Sequence, residues 1–194
     1  MKILGLYHNE LALELFDSLL KLGHEIVLSK EKLNPDWCRE QKFDLVVSYT
    51  YRYILSEEII DIFEGNVVNL HNSFLPWNRG ADPNLWSVLE GTPRGVSLHY
   101  VNAGLDKGEV IAQALVCDGV EETLASSYLN LDKAAKELFL KAFSFYPYWQ
   151  GMKKKSLGKG SYHSLKDGEL MKSVIDDYNI SVLEFRNRVK ELMD

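Results

Sequence analysis

The fold of this chain is decided by residues 2–29, KILGLYHNELALELFDSLLKLGHEIVLS. The apolar run at residues 2–7 is typical of a buried strand, and Asn9 stands where its side chain can cap a following helix. Leucines recur at helical spacing as far as Gly23, which ends that helix, and residues 24–29 predict a second strand. A strand, a helix and a further strand in this order predict a parallel pair of strands covered by the helix.

The same alternation continues along the chain. Residues 43–49 (FDLVVSY) predict a third strand, Ser56 is placed to cap a short helix, and residues 67–71 (VVNLH) predict a fourth strand. Continuous apolar strands linked by helices indicate a sheet that is buried on both faces. The predicted fold class is α/β: a Rossmann-like, mostly parallel central sheet with helices on both faces.

The second half of the chain is expected to complete this layer. Asp82 and Pro83 suit the N-cap and first position of a helix, and a long helix is predicted from about residue 123 to 146. Between them the sequences GVSLHYV and VIAQALV predict two more strands.

A domain boundary is predicted near residue 150. Residues 151–160 (GMKKKSLGKG) are rich in Lys and Gly and have no periodicity, which is typical of a surface loop. We therefore expect a main domain at 1–150 and a C-terminal appendage at 151–194. Within the appendage, residues 161–171 could form a hairpin or a ligand loop, and 181–193 predict an amphipathic helix.

Composition excludes several classes of function. The formal net charge of −6 argues against a general binder of nucleic acid or anionic membranes. The two cysteines, Cys38 and Cys117, form no C-x-x-C motif, so neither a disulfide framework nor a zinc site is expected. No apolar run approaches the length of a membrane span or a signal peptide, so a cytoplasmic location is expected.

Two polar side chains stand at the end of the fourth predicted strand, in VVNLHNSFLPWNRGADPN at 67–84. Asn69 and His71 are two residues apart, so they point to the same face of the strand. Ligands of open α/β sheets bind beyond the carboxyl ends of the strands, which favours a functional role. The alternative is that both residues are hydrogen-bonded spacers that shape the following turn.

Asp106 lies in a Gly-rich turn between the last two predicted strands. Such an aspartate commonly bonds its own backbone, and that interpretation stays open. A catalytic imidazole, however, commonly needs a carboxylate to orient it, and the two segments could be neighbouring strand ends. His99 is interpreted as a buried strand residue.

Three further residues are candidates for ligand contact. Arg79 precedes a predicted helix start, where phosphate or carboxylate groups are favoured, but it could equally be a surface arginine. Trp77 could stack on a ring or lie in the core. His8 follows the first strand and could touch a ligand or only shape the helix entry. The sequence has no G-x-G-x-x-G motif and no P-loop.

Taken together, these stretches resemble the folate-dependent formyltransferases, the family of glycinamide ribonucleotide, methionyl-tRNA and nucleotide-sugar N-formyltransferases. One element of the resemblance is the motif N-x-H-x-S-x-L-P, formed by Asn69, His71, Ser73, Leu75 and Pro76 and followed by Arg79 and Gly80. The other is SLHYVNAGLDKGEVIAQ at 97–113, and the match is strongest over residues 44–116.

The resemblance implies a set of site residues. Asn69, His71 and Asp106 match the family's catalytic trio, and 10-formyltetrahydrofolate would be the co-substrate, with no metal required. The implied co-substrate pocket, formed largely by backbone groups, includes Arg52, Tyr53, Ile54, Leu55 and Asn102. The N-terminal 150 residues would then be the catalytic domain of a formyltransferase.

The acceptor is predicted to be the primary amine of a nucleotide-linked amino sugar, contacted by Arg79, Trp77 and His8. GLYHNE at 5–10 lacks the phosphate loop expected of a glycinamide ribonucleotide enzyme. Residues 151–194 are too few for the barrel domain expected of a methionyl-tRNA enzyme, and the negative charge disfavours a polyanionic partner.

In the predicted mechanism the amine attacks the formyl carbon, Asn69 and protonated His71 stabilise the resulting oxyanion, and Asp106 orients His71. The alternatives are another amine formyltransferase, including a methionyl-tRNA enzyme, a formyl-folate hydrolase, a non-catalytic relative and an interaction module. The sequence also leaves a homodimer open, since the appendage could pair with a second subunit or fold over the acceptor site.

Overall fold

A six-stranded sheet forms the centre of this computed structural model, which describes residues 1–117, 121–156 and 158–193. The strands are β1 (Lys2–Leu6), β2 (Glu25–Ser29), β3 (Leu45–Tyr49), β4 (Val67–His71), β5 (Arg79–Gly80), β6 (Gly95–Tyr100), β7 (Val110–Leu115) and β8 (Tyr162–His163). The helices are α1 (Leu13–Lys21), α2 (Pro35–Glu40), α3 (Glu57–Ile62), α4 (Pro83–Glu90), α5 (Leu124–Phe143), α6 (Trp149–Met152), α7 (Glu169–Lys172) and α8 (Val182–Met193). Short 3₁₀ helices span Glu10–Ala12 and Tyr146–Tyr148.

The order of strands in the main sheet is β2-β1-β3-β4-β6-β7. The first four are mutually parallel, whereas β6 is antiparallel to both of its neighbours. The predicted α/β class with a mostly parallel sheet is therefore confirmed. Because β1, β3 and β4 run the same way, their carboxyl ends meet at one edge of the sheet.

Helices pack on both faces of this sheet, as predicted. On one face α1 and α5 contribute Phe16 and Phe139 to a large apolar core that also buries Trp149. On the other face α2 and α3 bury Cys38 and Ile59 in a second core. Within the described ranges, no helix is both long and apolar enough to cross a lipid bilayer.

The predicted helix starts are present, but one of them, Asp82, does not cap its helix through its side chain. Asn9, Ser56 and Thr123 each accept a hydrogen bond from a backbone N–H of the turn that follows. Asp82 precedes Pro83 as expected, but its side chain pairs with Lys172 at 2.5 Å instead of capping α4. Helix α2 was not predicted, although Asn34 caps it and Pro35 is its first residue.

The C-terminal segment packs on the main domain at two places. Strand β8 pairs in parallel with β5, which lies in the loop after β4. Helices α7 and α8 place Met171 and Phe185 in an apolar cluster with Leu85 of α4 and Leu124 of α5. The boundary at residue 150 stays a prediction, and the segment beyond it shares core residues with the main domain.

Candidate active site

Polar side chains gather at the carboxyl edge of the sheet, where β4 meets β6. Asn69 and His71 lie on the same face of β4, and the antiparallel register sets Asn69 directly opposite His99 of β6. His71 and His99 are both buried, with 8% and 2% of their surface exposed. A buried pair of imidazoles needs polar partners, and each finds them at this edge.

Asp106 joins these residues from the turn between β6 and β7. Its backbone has a positive φ of 51°, a conformation that aspartate tolerates better than most residues. The side chain is buried: Oδ2 accepts a hydrogen bond of 2.9 Å from the backbone N–H of Gly80. Oδ2 also lies 3.6 Å from His71 Nε2, and Oδ1 lies 3.6 Å from His99 Nε2. The carboxylate thus stands between two imidazoles.

The surroundings favour the ionised form of Asp106. Burial by itself raises the pKa of this carboxyl, but the neighbouring His71 and His99 and the Gly80 N–H lower it by more. The net result is a pKa well below the usual range for aspartate. At neutral pH the site therefore holds a fixed negative charge that can stabilise an imidazolium.

The hydrogen bonds of His71 define which of its nitrogens carries the proton. Nε2 lies 3.1 Å from the backbone carbonyl oxygen of Asn78, which can only accept, so Nε2 carries a hydrogen. In the neutral ring Nδ1 is then unprotonated and is the nitrogen that can take a proton from a substrate. This arrangement suits His71 to acid–base chemistry.

A second hydrogen-bonded chain orients Asn69. His99 Nδ1 donates to the carbonyl oxygen of Tyr100 at 2.8 Å. In the neutral ring Nε2 accepts from Asn69 Nδ2, which lies 3.3 Å away. In the protonated ring Nε2–H faces Asp106 Oδ1 at 3.6 Å, and this is the form that lowers the pKa of Asp106. An amide nitrogen has two N–H groups, so the second can be directed at a substrate oxygen. His99 is the buried strand residue that the sequence predicted, and it also links Asn69 with Asp106.

The site opens into a cavity of about 1000 Å³ that is lined by two walls. We call residues 50–55 and 101–106 of the lining the first wall, and residues 80–85, 124–125, 128–129 and 162–165 the second wall. Asn69 and His71 also line the cavity, and Asp106 of the first wall accepts from the N–H of Gly80 of the second. The volume is at the upper end of the range for a single ligand, about 300–1000 Å³, so it has room for a large co-substrate.

The structure places the five residues of the predicted co-substrate pocket together. Their positions are all on the first wall: Arg52, Tyr53, Ile54, Leu55 and Asn102. Ile54 is 74% exposed and Leu105 is 39% exposed, so this wall offers open apolar surface that a flat ring could cover.

The predicted acceptor residues lie elsewhere. The cavity lining, as far as the structure describes it, does not include His8, Trp77 or Arg79. His8 donates its backbone N–H to Thr50, Trp77 is 36% exposed, and Arg79 Nε donates to the carbonyl of Ser161 at 3.3 Å. Their contact with an acceptor stays a prediction. The second wall instead presents Tyr162, which is 52% exposed.

A buried polar chain supports the base of the cavity. Tyr49, at the end of β3, donates its hydroxyl to Asp132 Oδ1 at 2.7 Å, and Lys136 lies 2.5 Å from Oδ2. Burial, followed by the nearby Asp132, raises the pKa of Tyr49 far above its usual range, so the hydroxyl remains a donor. This chain holds the end of β3 against α5.

Several residues of the site carry no sequence signal that identifies them. Gly80 and Asn78 contact Asp106 and His71 through backbone atoms, which any residue type possesses. Ser161 meets Asn78 from 83 positions further along the chain. Across the part of the chain that the structure describes, no cluster of three His, Cys, Asp or Glu could hold a metal ion.

Comparison with known proteins identifies the family. Residues 26–143 match the model of the formyl transferase family, which covers more than half of the chain. The protein therefore belongs to the formyl transferase family, as its motifs predict.

Similar proteins are named for different acceptors, either methionyl-tRNA or a sugar. A methionyl-tRNA formyltransferase of Fusobacterium nucleatum is 40% identical over 105 residues, which are 54% of this chain and 34% of that protein. The chain thus spans only about a third of this relative.

Solved structures are similar over nearly the whole chain. The formyltransferase PseJ from Anoxybacillus kamchatkensis, solved in complex with UDP-4,6-dideoxy-4-formamido-L-AltNAc and tetrahydrofolate, is 36% identical with a TM-score of 0.83. That alignment covers 95% of this chain and 97% of PseJ. A 4-N formyltransferase from Francisella tularensis has the same fold, with 18% identity, a TM-score of 0.78 and coverage of 95% and 85%.

Proposed function

We propose that this protein transfers the formyl group of 10-formyltetrahydrofolate to a primary amine of a nucleotide-linked amino sugar. The observation that carries the proposal is the convergence of Asn69, His71 and Asp106 in the lining of one cavity. The 36% identical PseJ, which covers this chain almost fully, supports the choice of acceptor because its complex holds a formamido UDP-sugar and tetrahydrofolate. A cytoplasmic location is part of the same proposal.

In this mechanism Asn69 stabilises charge. When the acceptor amine adds to the formyl carbon, the formyl oxygen becomes negative. When its ring is neutral, His99 Nε2 accepts one N–H of Asn69, and the second N–H of Asn69 donates to that oxygen. A donor of this kind typically contributes about 10²–10³ in rate.

His71 moves the proton. The attacking amine must lose a proton and the departing folate nitrogen must gain one, so one group near both can serve as base and then as acid. Nδ1 of His71 is the free nitrogen of the neutral ring, because Nε2–H is bonded to Asn78. The charge that forms on the ring is stabilised by Asp106, which stays ionised.

The two walls divide the substrates in this proposal. The folate binds on the first wall, residues 50–55 and 101–106, and the acceptor binds on the second wall beside Tyr162. A tRNA acceptor is the second candidate, because the 40% identical relative is a methionyl-tRNA formyltransferase. The net charge of −6 disfavours it, since polyanions are bound mainly by positive charge.

The test is a transfer assay with three acceptors. The protein is mixed with 10-formyltetrahydrofolate and UDP- or dTDP-linked 4-amino sugars, with methionyl-tRNA, or with buffer alone, and products are identified by mass spectrometry. We expect formylated sugar and tetrahydrofolate in equal amounts. Asp106→Asn should lower turnover by roughly 10²–10⁴, because it removes the charge beside the acid–base group.

Asp61→Asn, which changes an exposed carboxylate on α3, serves as the matched control and should leave turnover unchanged. Formylation of methionyl-tRNA alone would replace the sugar by tRNA as the acceptor. Formate release in buffer alone would indicate a hydrolase, and absence of turnover with every acceptor would contradict the proposal.

A further inference from the structure

The residue that fixes the tautomer of His71 is itself held in a strained conformation. Asn78, whose carbonyl accepts from His71 Nε2, is fully buried and has a φ of 53°. Asparagine tolerates this left-handed region better than most non-glycine residues, but the surroundings still have to hold it there. The partners of Asn78 therefore matter for the position of its carbonyl.

One hydroxyl group provides two of these partners. Ser161 Oγ accepts a hydrogen bond of 2.9 Å from the backbone N–H of Asn78 and donates one of 2.9 Å to Asn78 Oδ1. On its other side the Asn78 amide donates to Thr92 Oγ1 at 2.7 Å. The side chain of Asn78 is thus held from two directions, and its backbone is bonded on the Ser161 side.

The backbone of Ser161 also pairs with the loop around Asn78. Its N–H donates to the carbonyl of Pro76 at 3.2 Å, and its carbonyl accepts from the N–H of Arg79 at 3.1 Å. These bonds do not require a hydroxyl, so replacing Ser161 by alanine removes only the two bonds to Asn78. The role of the hydroxyl can therefore be tested separately from the docking of the segment.

We propose that Ser161 is a positioning residue for His71, although it lies beyond the residues that match the family model. Its hydroxyl holds Asn78 so that the Asn78 carbonyl accepts from Nε2 and excludes the other neutral tautomer. In that other tautomer the Nε2 lone pair would face both the Asn78 carbonyl oxygen and Asp106, two acceptors without a proton between them. The role of this tautomer in proton transfer rests on the proposed function, whereas the tautomer itself follows from the hydrogen bond to Asn78.

The first readout is independent of catalysis. In ¹⁵N-histidine-labelled protein, the nitrogen shifts of His71 distinguish the Nε2–H from the Nδ1–H tautomer. We expect the Nε2–H form in the wild type, a mixture in Ser161→Ala, and a return to Nε2–H in Ser161→Thr, which keeps a hydroxyl. Ser144→Ala, which removes an exposed hydroxyl at the end of α5, is the control and should match the wild type.

The second readout is steady-state transfer. Ser161→Ala should lower kcat by roughly ten- to hundredfold, because a small misplacement of a catalytic group is costly, while both KM values stay within about twofold. Ser161→Thr should recover most of the rate. A merely structural role would lower stability and active fraction but would leave the tautomer of the folded molecules unchanged.

A second variant covers the case in which Ser161→Ala does not fold. Thr92→Val has the same shape but cannot accept from the Asn78 amide, so it should shift the His71 tautomer in the same direction. A pure Nε2–H tautomer in every folded variant would overturn the inference, as would equal kcat values for wild type and Ser161→Ala. If the variants show the expected tautomer response but the wild type transfers no formyl group, only the proposed function is contradicted.

Discussion

Asp106 is the residue on which the proposed chemistry of the site depends. It is bonded by the N–H of Gly80 and flanked by His71 and His99, and its side chain is only 8% exposed. Burial of a lone carboxylate is unfavourable, so its low pKa shows that the partners more than offset the desolvation. The charge used beside His71 is therefore also a contribution to folding stability.

The lowered pKa of Asp106 predicts how stability changes with pH. In the unfolded chain the group titrates near its usual value of about 3.9, so the unfolded state binds the proton first as pH falls. The stabilisation is complete above that value and is lost as pH falls towards the lower pKa of the folded state. Asp106→Asn has no such group, so its difference in unfolding free energy from wild type should shrink between about pH 5 and pH 3.

Urea unfolding of both proteins at several pH values measures this difference. The important result is whether the difference in unfolding free energy shrinks or grows as pH falls, because distant carboxylates contribute equally to both proteins and cancel. A difference that stayed constant or grew on acidification would mean that Asp106 is not stabilised in its ionised form.

At the scale of elements, the contact between β5 and β8 joins the C-terminal segment to the proposed catalytic residues. Gly80 has a φ of 92°, and a Cβ at this position would collide with the carbonyl oxygen of His163. The same glycine donates its N–H to Asp106. A glycine is thus required here for both the backbone conformation and the close approach of β8.

Gly80→Ala should consequently separate the two strands. We expect a loss of about 1–3 kcal/mol in unfolding free energy from the strained φ alone, together with a large fall in transfer activity because the bond to Asp106 is displaced. Gly151→Ala, at a position with open space and an ordinary φ, is the control. Chemical denaturation and the transfer assay provide the two measurements, and wild-type values for Gly80→Ala in both would refute the assigned role of β5.

The elements that the sequence predicted are those with strong periodicity or clear caps. The six strands of the sheet and helices α1, α5 and α8 were predicted from apolar runs and helical spacing. Strands β5 and β8 could not be predicted, since two residues show no alternation and their pairing depends on positions far apart in the chain. Tertiary contacts alone determine such short pairs.

The sequence likewise predicts some residues of the site and not others. Asn69, His71 and Asp106 stand out in one sequence as polar side chains at a strand end and in a Gly-rich turn, and the resemblance to the formyltransferases supplies their predicted roles. Asn78 and Gly80 were missed as positioning residues because they act through a carbonyl and an N–H. The second cavity wall was missed because it is assembled from segments that begin at residues 80, 124 and 162.

At the scale of the whole molecule, the two cavity walls come from different parts of the chain. The wall with Ile54 lies within the region that matches the family model, whereas the wall with Tyr162 extends beyond it. If the acceptor binds against the second wall, affinity for each substrate should respond to substitutions on its own wall only.

Tyr162→Ala provides that test. Loss of a ring contact, worth about 0.5–1.5 kcal/mol, should raise KM for the acceptor by roughly two- to tenfold and leave the affinity for a folate analogue unchanged. Tyr148→Ala removes a tyrosine that is 69% exposed and lies off the cavity walls, and it should change neither value. A weaker folate affinity in Tyr162→Ala would reverse the assignment of the walls.

The hydrogen bonds between Asn78 and Ser161 join residues that are 83 positions apart. On a translating ribosome, the loop after β4 emerges long before its partner, and the N-terminal part of a chain generally folds first. A nascent chain that has already paired β1, β3 and β4 would hold Asn69 and His71 at a strand end with Asn78 still unsecured. The proposed catalytic competence would then wait for the synthesis of Ser161, and onset of turnover would report that the segment around it has docked.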